Sequence, residues 1–128
     1  MARLLLMDDS AIQRRRLVVE LTRFGHSCVE AENGVEGMSL ITAGGFDCVF
    51  TDLHMPQMDG FHFLEAVKLA GIHTPIIVMS ADMVDDNFSR AKELGAAAFI
   101  TKPVKIEYMK EALEKVLAIL KESAAKTS

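Results

Sequence analysis

Phe46-Asp47-Cys48-Val49-Phe50-Thr51-Asp52 is a short apolar run that ends in a carboxylate, with Met55-Pro56 and Asp59-Gly60 close behind. A brief, nearly continuous apolar run reads as a buried strand rather than as one face of a helix. A carboxylate at the mouth of such a strand is costly to desolvate unless the site uses it. The pattern recurs twice. Leu4-Leu5-Leu6-Met7 runs into Asp8-Asp9, and Ala97 to Thr101 runs into Lys102-Pro103. Three carboxylates and one lysine at strand ends are therefore the chemistry that needs an explanation.

Working outward, short apolar runs alternate with longer stretches of helical period. Arg3 to Met7 reads as a strand, and Ser10 can cap a helix whose Leu17, Leu21 and Phe24 share a face. Gly25 closes that helix where a left-handed residue is needed. Ser27 to Glu30 is a weaker strand. Asn33-Gly34 opens a helix with Met38 and Ile41 inward, closed by Gly44-Gly45. Asp59 caps a third helix carrying Leu64 and Val67, and Thr74-Pro75 introduces the strand Ile76 to Met79. Asp85 or Asp86 starts a helix through Ala91 and Leu94, ended by Gly95. The last helix is expected from about Lys105 to Leu120, with Met109, Leu113, Val116 and Leu120 on one face and a polar tail beyond.

Five strands alternating with five helices imply a parallel sheet covered on both faces. Right-handed crossovers make it doubly wound. Ligands in such folds bind beyond the carboxyl ends of the strands, where the strand order reverses. Asp8, Asp9, Asp52, Ser80 and Lys102 all fall at those ends. The chain of 128 residues suits one domain, with residues 1–122 as the domain and 123–128 as a polar C-terminal tail.

Composition narrows the partners. A net charge of −4, from 14 basic and 18 acidic residues, disfavours nucleic acid. The run Arg14-Arg15-Arg16 reads as a solvated helix face. No run approaches membrane-spanning length, and Leu4 to Met7 is too short for a signal-peptide core, so a cytoplasmic location is expected. Cys28 and Cys48 show no metal spacing and read as buried, reduced thiols.

Asp8-Asp9, Asp52, Ser80-Ala81 and Lys102-Pro103, in this order, resemble the receiver domain of two-component response regulators. The segment Asp52-Leu53-His54-Met55-Pro56-Gln57-Met58-Asp59-Gly60 is similar to that family's D-x-x-M-P-x-M-D-G. Ala31-Glu32-Asn33-Gly34 and Leu94-Gly95-Ala96 match further family signatures, and the likeness spans roughly Arg3 to Leu120. It implies a flavodoxin-like sheet of order 2-1-3-4-5. It also implies a phosphorylation switch. Asp52 would be the phosphoacceptor, taking a phosphoryl group from a sensor histidine kinase or a histidine phosphotransfer protein. Mg²⁺ would be held by Asp9, Asp52 and the backbone carbonyl of His54, with Asp8 acting through water. Lys102 and Ser80 would contact the phosphoryl group, Ser80 and Phe99 would form the switch, and His54 and Asp82 would tune the phosphoryl lifetime. Lys102-Pro103 is expected to be cis by the same resemblance, aiming the ammonium at the site. A downstream protein would dock on the face of helix 4, strand 5 and helix 5, with Ile106 and Tyr108 as candidate contacts. The chain then reads as a stand-alone signalling module, not an enzyme beyond its own phosphorylation and dephosphorylation.

The charges support this separately. Two like charges about 4 Å apart cost on the order of 4 kcal/mol at an effective dielectric near 20. Three clustered carboxylates therefore call for cations, and Lys102 supplies only one charge. Other readings fit less well. A Mg²⁺-dependent phosphohydrolase with an Asp nucleophile needs an acid/base Asp where His54 stands. A flavin carrier needs a phosphate-cradling loop where Asp8-Asp9 would repel phosphate. A piece of a larger regulator or hybrid kinase is the remaining alternative.

Overall fold

A computed structural model describes residues 1–55, 57–81 and 85–127, with side chains at all of these but 85 and 123–127. Strand β1 (Arg3–Met7) leads into helix α1 (Ala11–Arg23), β2 (Ser27–Ala31), α2 (Gly34–Ala43), β3 (Cys48–Asp52) and α3 (Gly60–Leu69). Strand β4 (Ile76–Ser80), α4 (Asp85–Glu93), β5 (Ala98–Thr101) and α5 (Ile106–Thr127) complete the alternation. Every strand pairing is parallel, and the order is β2-β1-β3-β4-β5. This is the expected doubly wound architecture.

The central strands are the continuous apolar runs, and their alternate residues serve two cores. Leu4, Leu6, Cys48, Phe50, Ile77 and Met79 pack with Leu17 and Leu21 of α1 and Met109, Leu113 and Val116 of α5. Leu5, Met7, Val49, Ile76 and Val78 pack with Ile41 of α2, Phe63, Leu64 and Val67 of α3 and Ala91 of α4. Each fully buried Leu, Ile or Phe contributes roughly 1.5–3 kcal/mol of apolar transfer free energy. The two layers fix the sheet rigidly, so groups at its carboxyl end are held in place by packing elsewhere.

Capping follows the sequence closely. Ser10 Oγ accepts from the Gln13 N–H at 3.3 Å, Asn33 from Glu36 at 2.8 Å, and Asp59 from His62 at 2.9 Å. Because Ser10 caps α1, neither Asp8 nor Asp9 is needed for that task.

Several expectations are corrected. Strand β3 begins at Cys48, not Phe46, because Asp47 turns its carboxylate to the Arg3 N–H at 2.8 Å while the Arg3 guanidinium lies over the Phe46 ring at 4.4 Å. Phe24 is not a core residue; it sits past the end of α1, exposed, with the Lys110 ammonium over its ring at 4.5 Å. Helix α5 continues through the polar tail to Thr127, and Leu120 is exposed. The tail is rich in Lys, Glu and Ala, residues of high intrinsic helix propensity. Arg14 is not solvated: its side chain is 11% exposed, against 73% for Arg15. The thiols are free, with Cys48 buried and Cys28 half-buried. Both face Leu4 in register, from opposite neighbouring strands, which puts them about 10 Å apart and out of disulfide reach. Burial pushes the Cys48 thiol up to about 12, so it stays protonated and inert.

Candidate functional site

Strands β1 and β3 lie side by side and end together, with Met7 opposite Thr51. The residues after this pair, Asp8 just beyond β1 and Asp52 at the last position of β3, therefore emerge at the same level of the sheet. Both are buried, at 1% and 7% exposure, while Asp9 is exposed. Oxygens of Asp8, Asp9 and Asp52 all lie within 4.8 Å of one another. From the other side, β5 delivers Lys102. Its ammonium donates to Asp52 Oδ2 at 2.6 Å and to Asp8 Oδ2 at 3.0 Å. The Lys102-Pro103 peptide is cis.

Burial alone would lower the lysine pKa. The hydrogen bonds and charges of Asp52 and Asp8 outweigh it and hold the value above the ordinary lysine range. The ammonium is thus fully charged at neutral pH. It pairs with two of the three clustered carboxylates, and the cluster keeps a formal excess of two negative charges. The remaining lone pairs are partly used: the Ser10 N–H donates to Asp8 Oδ1 at 2.9 Å, and the His54 N–H to Asp52 Oδ1 at 3.2 Å.

The donor set is all oxygen, compact and over-charged, with no thiolate or imidazole among the clustered ligand atoms. That composition fits a hard divalent cation such as Mg²⁺ and disfavours zinc or copper. Ser80 ends β4, fully buried, and its carbonyl accepts from the Lys102 N–H at 2.9 Å. The ends of β4 and β5 are thus tied together beside Lys102. The His54 side chain is exposed beside Asp52. Asp82 lies outside the described residues. Phe99 is half-buried in β5 and away from the carboxylates, its ring against Phe88 of α4 with centroids 4.4 Å apart. Of the two candidate docking residues, Ile106 packs on the core and Tyr108 is exposed.

Two glycines allow the loop after Asp52 to pack closely. A Cβ on Gly60 would stand 2.4 Å from the Asp52 carbonyl oxygen, and one on Gly34 would stand 2.4 Å from the Met58 carbonyl oxygen. The Gly60 N–H also donates to the Leu53 carbonyl at 2.8 Å. The loop after Asp52 is folded tightly back on the strand, and only glycine leaves room for it. In the sequence the Asp-Gly and Asn-Gly pairs at helix starts are the only local signal of this close approach. Phe88 carries no local signal, and the run Arg14-Arg15-Arg16 reads as solvated because nothing local marks the burial of Arg14.

Residues 4–114 match the family model of the response regulator receiver domain. This chain belongs to that family. Receiver domains bind Mg²⁺ at an acidic pocket and work with histidine kinases or phosphotransfer proteins in two-component signalling. The chain is 30% identical over 124 residues to the sensor histidine kinase RcsC of Salmonella typhi, covering 97% of this chain and 13% of that kinase. It thus spans a small fraction of the curated relatives it matches. Among solved structures, the chemotaxis response regulator CheY4 of Vibrio cholerae shares 29% identity with a TM-score of 0.85, over 91% of this chain and 99% of that one. The receiver domain of the Francisella response regulator 1452 has a TM-score of 0.89 at 23% identity, over 94% and 99% of the two chains, a likeness of fold. Among the described residues no helix is long and apolar enough to cross a membrane.

Proposed function

We propose that this receiver domain is a phosphorylation-dependent switch in which Asp52 accepts a phosphoryl group from a histidine kinase or a histidine phosphotransfer protein. The observation that carries the reading is the Lys102 ammonium seated between Asp52 and Asp8, with Asp9 closing an all-oxygen cluster. An Asp52 oxygen attacks phosphorus, and the bond from phosphorus to the donor imidazole nitrogen breaks. That nitrogen keeps the electron pair, and the carboxylate becomes an acyl phosphate. Hydrolysis later returns Asp52 and inorganic phosphate. Such transfer depends on positioning and charge neutralisation more than on covalent assistance. Asp9, Asp52 and the His54 carbonyl, with Asp8 nearby, would hold Mg²⁺, which would supply positive charge to the incoming phosphoryl oxygens. Lys102 is within reach to pair with the same group, and Ser80 at the end of β4 supplies a hydroxyl toward it.

Readout goes through the two elements that end beside the pocket. Ser80 bonding the phosphoryl group draws the end of β4 inward, and Phe99 one strand away exchanges its contact with Phe88 for a more buried position. The face of α4, β5 and α5 changes as a result. Phe99, Ile100, Tyr108, Ala112 and Ile119 already line an open groove of about 480 Å³ there, which suits a downstream protein partner. His54, exposed beside Asp52, is assigned to tuning the lifetime of the phosphoryl group, and so is Asp82 from its place in the sequence two residues beyond Ser80. The test is incubation with an acyl phosphate and Mg²⁺ followed by intact mass measurement. One added phosphoryl group on the wild type and none on Asp52→Ala is the expected result. No addition, or equal addition to both, refutes the assignment.

A further inference from the structure

The arginine run on α1 contains a side chain that does not face water. Arg14 is 11% exposed, and its guanidinium spans two elements. Its Nε donates to Glu30 Oε1 of β2 at 3.0 Å, and its Nη1 donates to the backbone carbonyl of Asp8. Glu30 also receives Arg15 at 3.4 Å, so its carboxylate is held from two sides. On the same turn the Asp8 N–H donates to the Ala31 carbonyl at 3.2 Å. The Asp8 backbone is therefore fixed at both its N–H and its carbonyl.

That fixation matters most for the next residue. The Asp8 carbonyl and the Asp9 N–H belong to one rigid peptide plane. Holding the carbonyl sets the direction in which the chain leaves Asp8, and so where Asp9 projects. Asp8 has further anchors in Ser10 and Lys102. Asp9 is exposed, so packing does little to aim its carboxylate.

We propose that Arg14, braced by Glu30, is a positioning residue that holds the Asp8-Asp9 turn in the orientation Mg²⁺ binding requires. This rests on the acidic cluster being the Mg²⁺ site. The sign of the effect separates positioning from charge. Arg14 is a cation close to a cation site, so by Coulomb's law its removal should tighten Mg²⁺ binding. If it positions the turn, its removal weakens binding. Loss of a group that orients metal ligands typically costs about 10–100-fold in affinity.

Mg²⁺ titration by isothermal calorimetry, on the full chain, provides the test. Arg14→Met should bind Mg²⁺ at least about tenfold more weakly than wild type. Arg14→Lys should lose nearly as much, because an ammonium keeps the charge but cannot span Glu30 and the Asp8 carbonyl together. Arg15→Met removes the same charge from the same helix without touching Asp8 and should bind unchanged or slightly tighter. Wild-type affinity or tighter binding in Arg14→Met, with only a lower melting temperature, would reduce Arg14 to a structural role and overturn the proposal. Should Arg14→Met fail to fold, Arg14→Lys decides on the same criterion. A wild type that takes up no Mg²⁺ instead refutes the metal reading itself, and the inference falls with it.

Discussion

At the scale of single residues, Lys102 decides the most. Its ammonium is the protein's own answer to two buried carboxylates, and removing it leaves Asp8 and Asp52 facing each other without a cation. Breaking a buried pair from one side costs several kcal/mol. Lys102→Met is expected to lose about 3 kcal/mol of stability in urea unfolding without Mg²⁺ at pH 7, and to recover part of that loss when Mg²⁺ is added. The pH dependence has a definite sign. The folded-state pKa of Lys102 is raised, so its contribution is complete below the ordinary lysine value of 10.5 and is lost as pH rises through the raised value. Metal-free wild type and Lys102→Met should therefore differ by a constant amount between pH 7 and pH 9, and converge only above pH 10.5.

At the scale of elements, the loop from Asp52 to α3 links the site to the fold. Asp59 caps α3, and Gly60 lets the helix start lie against the Asp52 carbonyl. Asp59→Ala removes the cap alone and should cost about 1 kcal/mol in urea unfolding. Gly60→Ala inserts a methyl against backbone that cannot move without shifting Asp52. It should cost about 3 kcal/mol, at the upper end for overpacking, and weaken Mg²⁺ binding as well. An Asp59→Ala protein with equally weakened Mg²⁺ binding would show that the loop does not discriminate the two roles. This element also shows what a sequence can reveal. The acids, the lysine and the caps were legible because each sits where an apolar run or a helical period stops, and such boundaries are local. Arg14, Phe88 and the tight approach of Gly60 were not, because each is defined by a neighbour from another part of the chain. Phe24 and Leu120 misled for a related reason: they keep the helical period but lie beyond the sheet that would bury them. Helix α5 runs past the expected Leu120 because a Lys-, Glu- and Ala-rich segment has high intrinsic helix propensity, which no apolar period marks.

At the scale of the whole molecule, a parallel sheet packed by helices on both faces gathers three carboxylates and one lysine at one end, and the charge excess is a built-in demand for a cation. Mg²⁺ should therefore raise the melting temperature of the wild type, and Asp9→Asn should remove most of that gain while leaving the metal-free melt unchanged or higher. An equal Mg²⁺ response in both would place the ion elsewhere. The same arrangement explains how a small chemical event at one end of the sheet could reach α4 and β5, since Ser80 and Phe99 lie on adjacent strands and Phe99 already touches Phe88. All of this turns on which residue takes the phosphoryl group. Proteolytic mapping after reaction with an acyl phosphate and Mg²⁺ measures that directly. One modified peptide is expected, the one containing Asp52, carrying an acyl phosphate that hydroxylamine removes. A stable modification, or one located on Asp8, Asp9 or a histidine, would contradict it.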